Sequence, residues 1–247
     1  MARIALVTGG IGGIGTAICE ELRGRGFKVV AGYYPPEQEQ AEEWQKKHAA
    51  EGREYEIASG DVSSFEDSQK MISDIESRLG PVDVLINCAG ITRDKTFKKM
   101  EPNQWKAVLS TNLDSIFNVT RQVVNGMMER GWGRIVNISS VNGQRGQFGQ
   151  TNYSAAKAGA HGFTMALAQE VVRKGVTVNT VSPGYIATEM TEAMGEEVQQ
   201  QIISEIPMGR MGTPDEVAYL VGILCDDRAC YITGANYEVN GGLFMSF

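Results

Sequence analysis

The feature that most restricts how this chain can fold is an alternation of short apolar runs with longer amphipathic ones, sustained almost from end to end. "RIALVTG" (3–9) reads as a strand, and Ile14, Ala17, Ile18 and Leu22 then recur at helical spacing. "KVVAGY" (28–33), "YEIASGD" (55–61), "VDVLINCAG" (82–90), "RIVNISS" (134–140), "VTVNTVSPG" (176–184) and "NYEVNGG" (236–242) read as further strands. Helices fit 37–50, 64–79, 101–130, 152–174 and 215–227. Runs of Val, Ile and Leu without polar alternation suit strands covered on both faces. Strand–helix alternation then implies an α/β fold, a Rossmann-type doubly wound parallel sheet of about seven strands with helices on both faces. No repeat or low-complexity linker divides residues 1–247, so the spacing predicts one domain. The stretch 185–213 is the least regular and is a candidate substrate lid.

Composition excludes several classes of function. A net charge of −7 argues against broad binding to nucleic acid or to anionic membranes. No run approaches the roughly 20 apolar residues of a membrane helix. "MARIALVTGG" enters a strand directly and lacks the pattern of a signal peptide, so a cytoplasmic protein is expected. Cys19, Cys88, Cys225 and Cys230 show neither a disulfide framework nor zinc-ligand spacing. His48 is read as a surface residue and His161 as a packing residue, and no metal is expected.

"TGGIGGIG" (8–15) joins the first strand to the first helix. Glycines there permit a tight turn and the close approach of a pyrophosphate to backbone N–H groups at a helix N-terminus. Two other strand ends fit the same dinucleotide. Asp61 closes the third strand, where a carboxylate can accept from an adenine amino group. "NCAG" (87–90) closes the fourth with small residues that let a cofactor pass close to the backbone. The candidate cofactor contacts are Gly9, Gly12, Gly13, Ile14 and Gly15, then Gly60, Asp61 and Val62, then Cys88, Ala89, Gly90, Ile91 and Thr92.

"SSVNGQRGQFGQTNYSAAKAG" (139–159) carries the chemistry. Tyr153 and Lys157, four apart, share one helix face. A nearby ammonium lowers the pKa of a phenol, which ordinarily titrates near 10. Such a phenol can exchange a proton near neutral pH. Ser140, at the end of the preceding strand, can reach the same substrate oxygen. A nicotinamide in the crevice completes a site for carbonyl reduction.

Together "TGGIGGIG", Asp61, "NCAG", Asn112 in "STNL", Ser140, "YSAAK" and "PGYIATEM" identify the chain as resembling the short-chain dehydrogenase/reductase family over essentially its whole length. That resemblance implies a catalytic tetrad of Asn112, Ser140, Tyr153 and Lys157. Tyr153 would donate the proton, Ser140 anchor the carbonyl, Lys157 bind the nicotinamide ribose and lower the Tyr153 pKa, and Asn112 hold a relay water. Pro183, Gly184, Ile186 and Thr188 would line the nicotinamide and pyrophosphate. Cys88 departs from the family pattern, which usually has asparagine there.

Within the family, "AGITRD", "GWGRIVNISSVNGQ", "GQFGQTNYS", "ALAQEV" and "VSPGYIATEM" resemble the acetoacetyl-CoA reductases of polyhydroxybutyrate synthesis. The likeness implies acetoacetyl-CoA as substrate, (R)-3-hydroxybutyryl-CoA as product and a homotetramer, with "HGFTMALA" (161–168) offering an apolar face for packing. Asp94, Ser140, Gln147, Phe148, Gly149, Gln150, Gly184 and Tyr185 would contact substrate, the glutamines through their amides. "TRDKTFKK" (92–99) offers a basic cluster for an anionic CoA. One alternative is a 3-oxoacyl-(acyl carrier protein) reductase; relatives of that kind carry a basic pair beside the site, which would fall at Gly131 and Lys174. Another is a non-catalytic dinucleotide-sensing regulator. The second strand's end, "VVAGYYPPEQEQ", has no cation for a 2′-phosphate and carries Glu37, Glu39, Glu42 and Glu43, so NADH is expected over NADPH.

Overall fold

The computed structural model describes residues 2–188, 191 and 195–246. Seven parallel strands form one sheet: β1 (Ile4–Thr8), β2 (Lys28–Tyr33), β3 (Glu56–Ser59), β4 (Val82–Asn87), β5 (Gly133–Ile138), β6 (Val176–Pro183) and β7 (Asn236–Val239). Their order is β3-β2-β1-β4-β5-β6-β7, so the chain reverses direction across the sheet between β1 and β4. Ligands of open α/β sheets bind at such a switch point, beyond the carboxyl ends of the strands.

Every residue of β1, β5 and β6 is buried, including the polar Arg134 and Asn137 of β5 and Thr177, Asn179, Thr180 and Ser182 of β6. Side-chain alternation splits β1 between two cores. Ala5 and Val7 face α1 (Gly13–Gly24), whose Ile18 and Leu22 meet Val217 and Val221 of the helix Pro214–Leu224. Ile4 and Leu6 face α3 (Phe65–Leu79), with Ile72 and Ile75, and α5 (Ser115–Arg130), with Val119, Val123 and Met127. Burying each such side chain contributes about 1.5–3 kcal/mol, which offsets the entropy of ordering the chain.

The helices depart from expectation in informative places. The helix expected at 101–130 is α4 (Pro102–Leu109) and α5, joined by a π-helical turn over Ser110–Asp114. That turn holds Asn112, and π-turns inside α-helices often occur at functional sites. The expected helix 37–50 begins as a 3₁₀ turn, Pro35–Glu37, before α2 (Gln38–Ala50). Helix α6 (Asn142–Arg145) precedes α7 (Thr151–Val171). The stretch expected to be irregular contains α8 (Glu196–Glu205), and Pro214–Leu224 follows as α9. Within the stretch expected to be a lid, Glu189, Met190, Glu192, Ala193 and Met194 lie outside the described residues.

His48 is buried rather than on the surface. Its ring packs 4.5 Å from Trp44 and 5.4 Å from Tyr55, centroid to centroid. His161 does pack inside, 3.3 Å from the Ser182 hydroxyl. Among the described residues, no group of three or more His, Cys, Asp or Glu could hold a metal ion, and no helix is long and apolar enough to cross a membrane.

Candidate active site

The β1–α1 turn is shaped by backbone sterics. Gly9 has φ +64°, a left-handed conformation that favours glycine. At Gly15 a Cβ would lie 2.1 Å from the Gly9 carbonyl oxygen, so no side chain fits. Gly12 caps α1 without a side chain, and the helix's first turn has no acidic residue. The N-terminal N–H groups of α1 therefore face an uncluttered space suited to an anion. A Cβ on Gly13 would come 3.1 Å from Thr188 Cγ2, which brings the chain after β6 over the loop.

Thr8 ties the loop to the end of β4. Its hydroxyl accepts from the N–H groups of Cys88 (3.0 Å) and Ala89 (3.1 Å) and donates to the Ile86 carbonyl (3.4 Å). This joint was missed in the sequence, although a hydroxyl immediately before the glycines was its visible signal. A cleft of about 390 Å³ opens beside it. Gly9, Gly60, Asp61, Val62, Ala89, Gly90 and Ile91 line it, as does Thr8. Tyr34 and Glu37 form its wall at the end of β2, and Arg93 stands on the β4 side. One Asp61 carboxylate oxygen accepts from the Ser63 N–H (2.9 Å) and hydroxyl (2.7 Å), so the residue shapes a turn as well as the cleft. Switch-point placement, a side-chain-free helix N-terminus and small cleft walls fit a dinucleotide.

The four residues of the expected tetrad converge beyond Gly90. A Cβ there would lie 3.4 Å from Asn112 Oδ1 and 3.6 Å from Lys157 Nζ. Lys157, buried on α7, donates to the Ile138 carbonyl at 2.8 Å, and its Nζ lies 5.6 Å from the Tyr153 ring centroid. Burial pushes its ammonium down to about 8, with Cys88 acting weakly the other way. Ser140, at the carboxyl end of β5, stands near enough to the Tyr153 phenol to favour its ionised form, and its Oγ accepts the Asn142 N–H at 3.1 Å.

One expected detail is corrected. The Tyr153 phenol is raised above its ordinary pKa, not lowered. Burial outweighs the Ser140 hydrogen bond, and Asp94 and Cys88 add to the rise. The Lys157 ammonium is held by the Ile138 carbonyl, and it is not among the groups that shift the phenol. The Asn112 side chain is engaged by the backbone of Ile91. Its Oδ1 accepts from the Ile91 N–H (2.8 Å) and its Nδ2 donates to the Ile91 carbonyl (2.9 Å), bracing the loop after β4. Cys88 is held as a thiol, pushed up to about 11 by burial.

Most candidate substrate contacts gather on one rim. Gln150 Nε2 donates to Asp94 (2.7 Å), and the Gly149 carbonyl accepts from the Lys95 N–H (2.9 Å). One Gln150 amide N–H is thus engaged by Asp94, which leaves the second donor of the NH2 group. Gln147 is exposed and accepts from Arg145 at 3.4 Å, and Phe148 is 87% exposed. Across from them Gly184 donates to Val239 (2.9 Å), the Pro183 carbonyl accepts from Val141 (2.9 Å), and Tyr185 and buried Ile186 are clasped to Gly212. Lys98 and Lys99 are exposed on a 3₁₀ turn, Phe97–Lys99. Ile14 and Thr92 are part-buried at the loop ends where they were expected. Gly131 and Lys174 do not lie beside this site. They precede β5 and β6, at the amino end of the sheet, opposite the cleft within the chain.

The short chain dehydrogenase family model matches residues 3–199. The chain belongs to the short chain dehydrogenase family. This family member is 64% identical to an acetoacetyl-CoA reductase from Allochromatium vinosum, over 99% of this chain and all of the relative. It is 56% identical to an acetoacetyl-CoA reductase from Cupriavidus necator over 98% of each. A 3-oxoacyl-(acyl-carrier-protein) reductase from Pseudomonas aeruginosa is 44% identical over 99% of this chain and 98% of the relative. Membership of this family implies a nicotinamide cofactor.

Proposed function

We propose that this short chain dehydrogenase reduces the 3-keto group of acetoacetyl-CoA to (R)-3-hydroxybutyryl-CoA, feeding polyhydroxybutyrate synthesis. The observation that carries the reaction is buried Lys157 reaching Gly90 at the cleft wall, with the Tyr153 ring 5.6 Å from its Nζ and Ser140 acting on the Tyr153 phenol. The substrate rests on the likeness to full-length relatives named acetoacetyl-CoA reductase at 64% and 56% identity, against 44% for the carrier-protein enzyme. The catalytic set makes a purely dinucleotide-sensing role unnecessary.

The glycine loop, Gly60 to Val62, Cys88 to Thr92 and Pro183 to Thr188 would hold the nicotinamide cofactor, which supplies hydride when bound. The residues of the chain manage the proton and the geometry. Ser140 orients the keto oxygen, and Tyr153 delivers a proton to it as negative charge develops. A phenol whose pKa is raised stays protonated at neutral pH, which suits a donor in the reductive direction. The Lys157 ammonium would hold the cofactor's ribose and stabilise the phenolate left behind. Asn112 keeps the β4 loop against this group through Ile91. Gln147, Phe148 and Tyr185 would contact the acetoacetyl and pantetheine parts.

NADH is the preferred cofactor in this reading. Glu37 lines the cleft where the second strand ends, and its carboxylate would repel a 2′-phosphate yet accept from a 2′-hydroxyl. The cleft's Arg93 lies on the opposite side and donates to the Thr92 carbonyl at 2.7 Å. The protein would work in the cytoplasm as a homotetramer, using exposed Gly162, Met165 and Ala166 on α7. Steady-state kinetics with acetoacetyl-CoA and both nicotinamides, with chiral analysis of the product, test the proposal. A higher kcat/KM for NADH and an R product are expected. An S product or no turnover would refute the reaction, and a higher kcat/KM for NADPH would refute the cofactor preference.

A further inference from the structure

A chain of side chains outside the expected site joins the catalytic serine to the substrate rim. Asn142 opens α6, two residues after Ser140, and is 8% exposed. Its backbone N–H donates to Ser140 Oγ at 3.1 Å. Its side-chain Nδ2 donates to Gln150 Oε1 at 3.0 Å, and Gln150 Nε2 donates to Asp94 at 2.7 Å. Asn142 is therefore bonded at one end to the carbonyl anchor and at the other to the rim.

The polarity of this chain is fixed from its outer end. A carboxylate accepts, so Gln150 must turn its N–H to Asp94 and its oxygen to Asn142. Asn142 must then donate, and its Oδ1 is left buried with no hydrogen-bond partner within the protein. A buried amide group left unmatched is costly, and native folds rarely keep one without a use. The bond to Ser140 also fills one acceptor position of the hydroxyl, which leaves its proton for the phenol or a carbonyl oxygen. On the opposite flank of α6, a Cβ on Gly143 would strike the Lys157 backbone at 2.8 Å, so α6 is pressed against the catalytic helix.

We propose that Asn142 is a positioning residue that holds Ser140 and the Gln150–Asp94 rim in one register, so that the 3-keto acyl group meets the proton donor in a single orientation. The proposal rests on the reading of Ser140 and Tyr153 as the carbonyl site. A directional hydrogen-bond chain makes a test that simple packing does not share. Asn142→Ala should lower kcat/KM for acetoacetyl-CoA by about tenfold or more, as for loss of a buried hydrogen bond, and leave NADH affinity within about twofold. Asn142→Asp should be similarly impaired, because acceptors then stand at both ends of Gln150. Adding Asp94→Asn to Asn142→Asp lets the whole chain reverse, with residue 94 donating to Gln150 and Gln150 donating to residue 142. That double variant should exceed Asn142→Asp by about fivefold or more in kcat/KM, on the scale of a coupled pair. NADH binding by fluorescence checks that each variant is folded, and the double variant keeps the test decisive if Asn142→Ala does not fold. A kcat/KM for Asn142→Ala within about twofold of wild type, or no gain in the double variant, would overturn the proposal. In that event a wild type that turns over acetoacetyl-CoA and a Tyr153→Phe that does not would leave the carbonyl-site reading standing. No turnover by wild type would overturn both.

Discussion

The two walls of the cleft are built on opposite principles. On the catalytic wall Lys157 is 4% exposed and Ser140 8%, and the ammonium and the hydroxyl are each fixed by a backbone group. On the proposed ribose wall Tyr34 is 49% exposed, and the Glu37 carboxylate accepts from the Tyr34 N–H at 3.3 Å. In the proposed reading the first wall fixes the groups that handle the proton, and it is coupled to the core. The second only has to attract or repel a charge, so a surface residue suffices. Changes to the first should therefore be large and entangled with stability, and changes to the second smaller and separable.

The largest of these effects is expected at Lys157. Lys157→Met should lower kcat by about 10²-fold or more, within the range for loss of proton-transfer support, and weaken NADH binding as well. Unchanged NADH affinity would remove the ribose contact. The same substitution has a stability signature. Folding pulls the ammonium from an ordinary value of 10.5 to about 8. Below about pH 8 the folded state therefore carries the full penalty, on the order of 3 kcal/mol at 1.36 kcal/mol per pKa unit. Between about 8 and 10.5 the unfolded chain binds the extra proton, so this group makes wild-type stability rise with pH. Urea unfolding at pH 7 and 10 should show the stability of Lys157→Met relative to wild type falling across that interval. A pH-independent difference would contradict a buried, depressed lysine.

An intermediate effect is expected on the ribose wall. Glu37→Arg should shift the ratio of kcat/KM for NADPH to that for NADH by about tenfold, because only NADPH carries the extra phosphate charge. Its folding stability should stay within about 0.5 kcal/mol of wild type, as for other surface changes. A stability loss comparable to that of a core variant would erase the contrast between the walls. The smallest effect belongs to the rim. If the exposed Lys98 and Lys99 steer CoA, replacing both with Gln should lower kcat/KM by about two- to threefold, and added salt should shrink the difference. An equal loss with a short thioester lacking the CoA phosphates would remove the steering role.

What the sequence disclosed follows the same division. The central strands such as β1 and β4 were legible because burial leaves apolar runs, the edge strands β3 and β7 by their place in the strand–helix alternation, and the Gly9–Gly15 turn because sterics exclude other residues. Ser140, Tyr153 and Lys157 were legible from spacing along one helix and the strand before it. The π-turn at Asn112 was not, since it leaves the helical periodicity of 101–130 almost intact. Helix α6 is only four residues long, too short to show a period. In α8 the apolar Val198, Ile202 and Ile203 are sparse among glutamate and glutamine. The direction of the Tyr153 shift was misjudged because spacing reveals the neighbouring ammonium but not the depth of burial. Thr8 and Asn142 act through backbone N–H groups distant in space or hidden in a turn, which a residue pattern does not reveal.

The central claim is that the Tyr153 phenol supplies the proton for carbonyl reduction beside a bound nicotinamide. Tyr153→Phe removes the hydroxyl and keeps the ring. Its kcat for acetoacetyl-CoA reduction, measured alongside its NADH dissociation constant, tests the claim most directly. The account predicts a fall in kcat of about 10²- to 10⁴-fold with NADH affinity retained. A fall of less than about tenfold, with the cofactor still bound, would contradict it.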